Sequence, residues 1–142
     1  MKKICLFALL TIIVLIFSFS GCTYKEDTVT TTKTTEMIHM TYEQISQQKA
    51  KEIMDTQSDY VIIDARTQEE FDEGHIQNAI LIPEYEIYKK APNLIPDKST
   101  LILVYCRSGR RSKIASEALV ELGYTNVKEF GGIIDWEYDI VK

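Results

Sequence analysis

The sequence has few histidines and no excess of positive charge. Its 142 residues include two histidines, His39 and His75, which stand far apart and give no support to a metal site. Lysine and arginine together number 16 against 21 aspartates and glutamates, for a net charge of −5. Surfaces that bind nucleic acids broadly are strongly basic, so the sequence argues against a nucleic-acid partner.

Charge is also missing from residues 4–19, an apolar run that follows the basic residues 1–3 and precedes Ser20, Gly21 and Cys22. A basic start, an apolar core and small residues are typical of a bacterial secretory signal peptide. The run is shorter than the roughly 20 residues that a membrane-spanning helix needs. We therefore predict that the protein is exported.

Residues 19–22 resemble a lipobox in which Phe19 stands where the motif usually has leucine. The resemblance implies that residues 1–21 are a lipoprotein signal peptide and that Cys22 is acylated and becomes the mature N-terminus. Several acyl chains would hold the protein on the outer face of the bacterial cytoplasmic membrane, or on the periplasmic side. The alternatives are an ordinary secreted protein and an uncleaved N-terminal anchor.

Residues 22–36 are rich in threonine and poor in large apolar side chains. Such a segment buries too little surface to offset the entropy lost on ordering, so we predict a flexible tether. The globular domain then comprises residues 37–142. Cys106 is then predicted to be the only free thiol of the mature protein, because Cys5 would leave with the signal peptide and Cys22 would be alkylated. No intramolecular disulfide is available to this unpaired thiol.

Strand and helix patterns alternate along residues 37–142. The pattern of apolar residues and caps predicts a possible edge strand at 38–40, further strands at 60–63, 79–82, 101–105 and 127–130, and helices at 41–54, 67–74, 84–90 and 111–122, with a last short helix carrying Trp136. This alternation predicts an α/β fold with a parallel sheet covered by helices on both faces. Ligands of such sheets bind beyond the carboxyl ends of the strands, at helix N-termini.

The turn after strand 101–105 has the composition of an anion-binding site around a reactive thiol. It begins with Cys106, and Gly109 permits a positive φ at its tightest point. Helix-start amides and nearby cations favour a thiolate over a thiol and would hold an anion against the sulfur. Its predicted substrate-binding residues are Arg107, Ser108, Gly109, Arg110, Arg111 and Ser112. The alternative, a small core cysteine beside a solvated patch, does not explain three arginines within five residues.

This loop resembles the active-site loop of rhodanese-like sulfurtransferases of the single-domain thiosulfate sulfurtransferase type. Other segments resemble the family in the same order: Ile63-Asp64-Ala65-Arg66, Glu69-Glu70-Phe71, Gly74-His75-Ile76 with Asn78-Ala79, Ile82-Pro83, and Gly131-Gly132 with Trp136. The resemblance implies a three-layer fold with a central parallel sheet of about five strands. It also implies that Cys106 takes sulfur from a small anionic donor such as thiosulfate, forms a persulfide and passes the sulfur to cyanide or a thiol, without a cofactor.

Two other functions stay open at this point. The domain would also serve as a carrier or sensor that holds sulfane sulfur without turnover. A phosphatase or arsenate reductase is less favoured, because the related phosphatases have arginine six positions after the cysteine and this chain has Ser112 there. Asp64 and Arg66 are interpreted as an ion pair that supports the loop. We interpret His75 as structural and the acidic residues near the C-terminus as ordinary surface.

Overall fold

The structure is a computed structural model that describes residues 41–142. These residues form five strands, four α-helices and two short 3₁₀ helices at Glu84–Glu86 and Ile133–Asp135. The strands are β1 (Glu43–Gln44), β2 (Tyr60–Asp64), β3 (Ala79–Leu81), β4 (Leu101–Cys106) and β5 (Val127–Gly132). The helices are α1 (Gln47–Thr56), α2 (Gln68–Glu73), α3 (Ile87–Leu94) and α4 (Arg110–Glu121). The predicted boundaries at residues 21 and 36 lie outside the described residues.

The five strands form one parallel sheet in the order β1-β5-β4-β2-β3. Strand β4 lies at its centre and is buried along its whole length. Buried residues of α3 and α4 pack on one face of the sheet, and those of α1 pack on the other. This arrangement confirms the predicted α/β fold, with a parallel sheet between helices, and explains why the central strands are continuous apolar runs.

The alternation of side chains along β4 separates the two cores. Val104 and Cys106 belong to the core beneath α3 and α4, whereas Leu103 and Tyr105 belong to the core beneath α1. Successive side chains of a strand point to opposite faces of a sheet. The reactive position and its chain neighbour therefore face different layers of the protein.

Two predicted helix starts had different outcomes. Helix α2 begins as predicted, with its N-cap at residue 67 and a capping box in which Thr67 accepts from the backbone of Glu70 and the Glu70 side chain accepts from the backbone of Thr67. The predicted start of α1 at Thr41 was wrong, because the N-cap is Ser46 and Gln44 lies in β1. Pairing with β5 extends the backbone there, so tertiary contact overrides a local capping pattern.

The N-terminal predictions remain predictions after the fold is described. The possible strand at 38–40, the tether, the signal peptide and Cys22 all lie outside residues 41–142. Within that described range, no helix combines the length and hydropathy needed to cross a membrane.

A buried polar network supports the end of β4 on the α1 side of the sheet. Asp64 and Arg66 form the predicted ion pair, with Nη2 to Oδ2 at 2.6 Å. The Tyr105 hydroxyl donates to Asp64 at 2.6 Å and accepts from the backbone of Ile76 at 3.1 Å. Burial, reinforced by the charge of Asp64, raises the pKa of Tyr105, so the phenol keeps its proton. Arg66 also donates to the carbonyl of Gly74 at 2.7 Å and so ties the next loop to this network.

We predict that Tyr105→Phe lowers the free energy of unfolding by about 1–3 kcal/mol, because Asp64 loses a donor and the Ile76 amide loses its acceptor inside the protein. Urea denaturation measures the change. Tyr85→Phe is the matched control, since Tyr85 is 72% exposed. Equal stability of the two variants would contradict this role of the network.

Candidate active site

Cys106 ends the central strand, and the chain turns back over its sulfur. Its Sγ accepts a hydrogen bond from the backbone N–H of Gly109 at 3.1 Å. Gly109 has a φ of 91° and is the N-cap of α4. A left-handed conformation at this position favours glycine, so the predicted positive φ is confirmed. The backbone amide of the third residue after Cys106 thus reaches the cysteine sulfur.

Helix α4 starts directly after this turn and aims its N-terminus at the same region. The first amides of a helix have no acceptor within the helix. Arg110, Arg111 and Ser112 occupy that first turn. Their N–H groups and the helix dipole present positive partial charge beside Sγ, which is the arrangement expected of a site that stabilises an anion.

The loop rests directly on the end of β5. A Cβ atom built on Gly132 would lie 2.5 Å from the Cα of Ser108 and closer still to the carbonyl oxygen of Arg107. That carbonyl accepts from the backbone of Ile134 at 3.2 Å. Because Gly132 has no side chain, the backbone of residues 107 and 108 can lie directly against the end of β5.

Ser112 closes the loop from the helix side and is fully buried. Its Oγ lies 3.5 Å from the Sγ of Cys106 and 3.0 Å from the carbonyl of Gly109. It also donates to the Oε1 of Glu129 at 2.6 Å. The serine thus links the thiol, the turn and a carboxylate of β5.

Glu129 is a site residue that sequence reasoning missed. No motif of the sequence singles it out, yet only 3% of it is exposed. Its Oε1 also accepts from the backbone of Gly131 at 2.8 Å. Lys128 is half-buried, whereas Glu129 and Phe130 are both buried. Nothing in this stretch of the sequence marks the glutamate as buried.

The three loop arginines have different environments. Arg111 forms a two-pronged ion pair with Glu70 of α2, with nitrogen–oxygen distances of 2.6 and 2.8 Å. These bonds lower the pKa of Glu70 to about 2. Arg107 and Arg110 are exposed, as is Ser108. Arg111 therefore braces the loop against α2, while the other two cations face solvent.

Asp64 and Arg66 approach the loop only through the strand. They contact Tyr105, which faces the opposite side of the sheet from Cys106, as described above. His75 stacks on Phe71 with ring centroids 3.7 Å apart, and its Nδ1 lies 3.1 Å from the carbonyl of that residue. Among residues 41–142, no three His, Cys, Asp or Glu side chains are grouped so as to hold a metal ion.

Burial restricts how Sγ meets a reactant. Cys106 is 1% exposed and belongs to the α3–α4 core, yet its sulfur contacts polar groups of the loop. A purely structural cysteine needs no such partners. Because the polar partners of Sγ belong to the loop and the start of α4, we expect a reactant to approach the sulfur from that side.

We predict that Glu70→Gln removes part of the pH dependence of stability in acid. The folded pKa of Glu70 is about 2 and its usual value is 4.5, so its ion pair stabilises fully above pH 4.5. That stabilisation is lost as the pH falls from 4.5 to 2. Thermal unfolding measured across this range should show wild type and variant converging at the acid end. Glu73→Gln, at an exposed position of the same helix, should keep the wild-type profile.

We predict that Gly132→Ala displaces the loop and costs about 1–3 kcal/mol of stability through overpacking. Its backbone φ of −122° suits alanine, so the effect would come from the contact with residues 107 and 108 alone. Chemical denaturation measures the cost, and the alkylation rate of Cys106 reports the movement. An alanine variant with wild-type values of both would contradict this account of the loop.

Comparison with known proteins gives one consistent family. The family model described as "Rhodanese-like domain" matches residues 46–139. Thiosulfate sulfurtransferase PspE of Escherichia coli is 42% identical over 80 residues, which are 56% of this chain and 77% of that protein. Adenylyltransferase and sulfurtransferase UBA4 of Candida albicans is 33% identical over 106 residues, and the match spans 22% of its length and 70% of this chain.

A solved structure gives the same result. The crystal structure of a rhodanese-related protein from Thermoplasma volcanium superposes with a TM-score of 0.61 at 32% identity, covering 70% of this chain and 98% of that one. The residues that the family model matches, 46–139, include strands β2 to β5 and the loop that begins at Cys106. This chain belongs to the rhodanese-like sulfurtransferase family.

Proposed function

We propose that the protein moves sulfane sulfur from a small anionic donor such as thiosulfate to a thiol or cyanide, through a persulfide on Cys106. The observation that carries the proposal is the hydrogen bond from the Gly109 amide to Sγ at 3.1 Å at the start of α4. The similarity to an E. coli thiosulfate sulfurtransferase, 42% over 80 residues, supports the choice of donor.

In the first half-reaction, the Cys106 thiolate attacks the outer sulfur of thiosulfate. A sulfur–sulfur bond forms to the protein, the sulfur–sulfur bond of thiosulfate breaks, and its electron pair leaves on sulfite. The protein sulfur begins and ends this step with one negative charge, first as thiolate and then as persulfide. Donors fixed beforehand around Sγ stabilise that charge without reorganising during the reaction.

The charges of the loop suit a doubly charged donor. Exposed Arg107 and Arg110 raise the local concentration of anions and steer them to the loop. Arg111 contributes its charge from a fixed position, because Glu70 holds its guanidinium. This arrangement supports a division of roles. Exposed Arg107 and Arg110 would capture the anion, and Arg111 would stabilise its charge from a fixed position.

In the second half-reaction, an external nucleophile takes the outer sulfur and restores the thiolate. Cys106 is the free cysteine of residues 41–142, so no second thiol of that region resolves the persulfide. The acceptor therefore comes from outside the domain. The same reasoning applies to a carrier, which would release its sulfur only to a partner.

The arginine geometry disfavours the phosphatase and arsenate reductase alternative. Bidentate recognition of a tetrahedral anion needs a free arginine fork. The fork of Arg111 is occupied by Glu70, and the next position is Ser112, whose hydroxyl is directed to Glu129. Hydrolysis of para-nitrophenyl phosphate that disappears in Cys106→Ser would favour the phosphatase instead.

We predict that Cys106→Ser lowers thiosulfate:cyanide sulfur transfer by at least about a thousandfold, as removal of a nucleophile does in other enzymes. Mass spectrometry of the thiosulfate-treated wild type should show one added sulfur on the Cys106 peptide, reversed by reductant. Cys22→Ser is the matched control and should keep the activity. Persulfide formed once without turnover would make the protein a carrier, and no added sulfur would reject sulfur chemistry at Cys106.

We also propose export and lipid anchoring through Cys22, on the charge-free run and the small residues that precede it. In a bacterial host, labelled fatty acid should attach to the wild type and not to Cys22→Ser. Wild-type protein without label would reject the lipoprotein assignment and leave secretion or an uncleaved anchor.

A further inference from the structure

Glu129 is a buried carboxylate that the sulfur-transfer steps above do not use. Within residues 41–142 it forms no ion pair, and its hydrogen-bond donors are neutral. Ser112 Oγ donates to Oε1 at 2.6 Å, the Gly131 amide donates to Oε1 at 2.8 Å, and Gln44 Nε2 donates to Oε2 at 3.4 Å. A buried charge is expensive without such bonds, so this position is built to hold a carboxyl group.

The hydroxyl of Ser112 connects this carboxylate to the thiol. Ser112 has one proton to donate, and its shortest bond is the one to Glu129. Its lone pairs are then free to accept from the Sγ–H of Cys106 at 3.5 Å. The hydrogen bonds therefore run in one direction, from thiol to hydroxyl to carboxylate.

Ionisation of Cys106 reverses the requirement on Ser112. A thiolate has no proton to give and needs a donor on the side of Ser112 as well, beside the Gly109 amide that already bonds to Sγ. Ser112 supplies one only by turning its proton from Oε1 toward Sγ, which would leave an unprotonated Glu129 without its closest donor inside the protein. A proton on Glu129 removes this conflict, since the carboxylic acid then donates to Oγ and Oγ donates to Sγ.

We infer that Cys106, Ser112 and Glu129 form a proton relay in which Glu129 is a positioning residue for the thiolate. The S–H bond breaks as an O–H bond forms on Ser112, and the original O–H bond of Ser112 breaks as its proton passes to Oε1. The electron pair of the S–H bond stays on sulfur. The negative charge moves from Oε1 to Sγ, and the total charge of the three residues is unchanged.

Other titratable groups face Glu129 from the elements that pack against it. Tyr42 lies near enough that burial first, and then the charges of Glu117 and Glu129, raise its pKa. Lys113 is exposed and lines the same cleft of about 350 Å³ as Glu129, without a hydrogen bond to it. The groups to consider in any pH profile are therefore Cys106, Tyr42, Lys113 and Glu117.

The relay rests on the proposed function only in taking the thiolate as the attacking species, and alkylation tests it without a sulfur donor. The alkylation rate of Cys106 by iodoacetamide is followed across pH in the full chain, by mass spectrometry of the Cys106 peptide. Two groups that share one proton titrate in two coupled steps, so the wild-type rate should include a pH-independent segment below neutrality. In Glu129→Gln a single ionisation governs the rate, which should fall about tenfold per pH unit throughout acid pH.

Two further variants separate the relay from a structural role. Glu137→Gln changes an exposed glutamate and should keep the pH-independent segment. Ser112→Ala leaves the carboxylate in place but removes the connection, so it should lose the segment as Glu129→Gln does. It also keeps the test informative if Glu129→Gln does not fold. If the alkylation rates of wild type and Ser112→Ala changed with pH in the same way, the relay would be overturned, whatever the absolute rates.

The thiosulfate reaction distinguishes the two proposals. Persulfide formation with parallel alkylation profiles would reject the relay and keep the sulfurtransferase. Distinct profiles with no persulfide would keep the relay and reject the proposed donor chemistry.

Discussion

The short turn that brings the Gly109 amide to within 3.1 Å of the Cys106 sulfur is the constraint on which the site depends. Three requirements meet there. The strand must end at the thiol, the chain must adopt a φ of 91° three residues later, and the surface beneath must be flat enough to admit a backbone. Gly109 satisfies the second requirement and Gly132 the third. Because Gly109 is also the N-cap of α4, the same turn places the positive end of that helix next to the sulfur.

The two faces of the sheet contribute different kinds of support. On the α1 face, Asp64, Arg66 and Tyr105 form a charged and fully buried network that holds the ends of β2 and β4 in register. On the α4 face, Glu129 and Ser112 form a chain of neutral donors and one carboxyl group that reaches the thiol. The alternation of a strand enforces this separation, since Tyr105 and Cys106 are neighbours in the chain and face opposite layers. The charged network therefore stabilises the ends of β2 and β4. The hydrogen bonds through Ser112 connect the carboxyl group of Glu129 to the sulfur of Cys106.

The charges of the loop are also separated by function. A cluster of three arginines would repel itself and bind water if all three faced solvent together. Glu70 of α2 holds Arg111 in place and lets its charge act on the site without mobility. Arg107 and Arg110 remain at the rim, where they are free to meet an incoming anion. In the proposed reaction, the same exposed side chains would attract the anion and border its route to buried Cys106.

The sequence by itself determined the parallel α/β fold, the loop at Cys106, the positive φ of Gly109 and the capping box of α2, because each follows from local periodicity, a motif or a special backbone conformation. It misplaced the start of α1, since pairing between β1 and β5 competes with local capping and depends on residues 85 positions apart. Only the tertiary structure decided that Glu129 is buried, that Ser112 joins it to the thiol, and that Arg111 is held by Glu70. Those contacts join residues that lie 17 and 41 positions apart, and no local pattern carries the information about which side chains meet across a sheet.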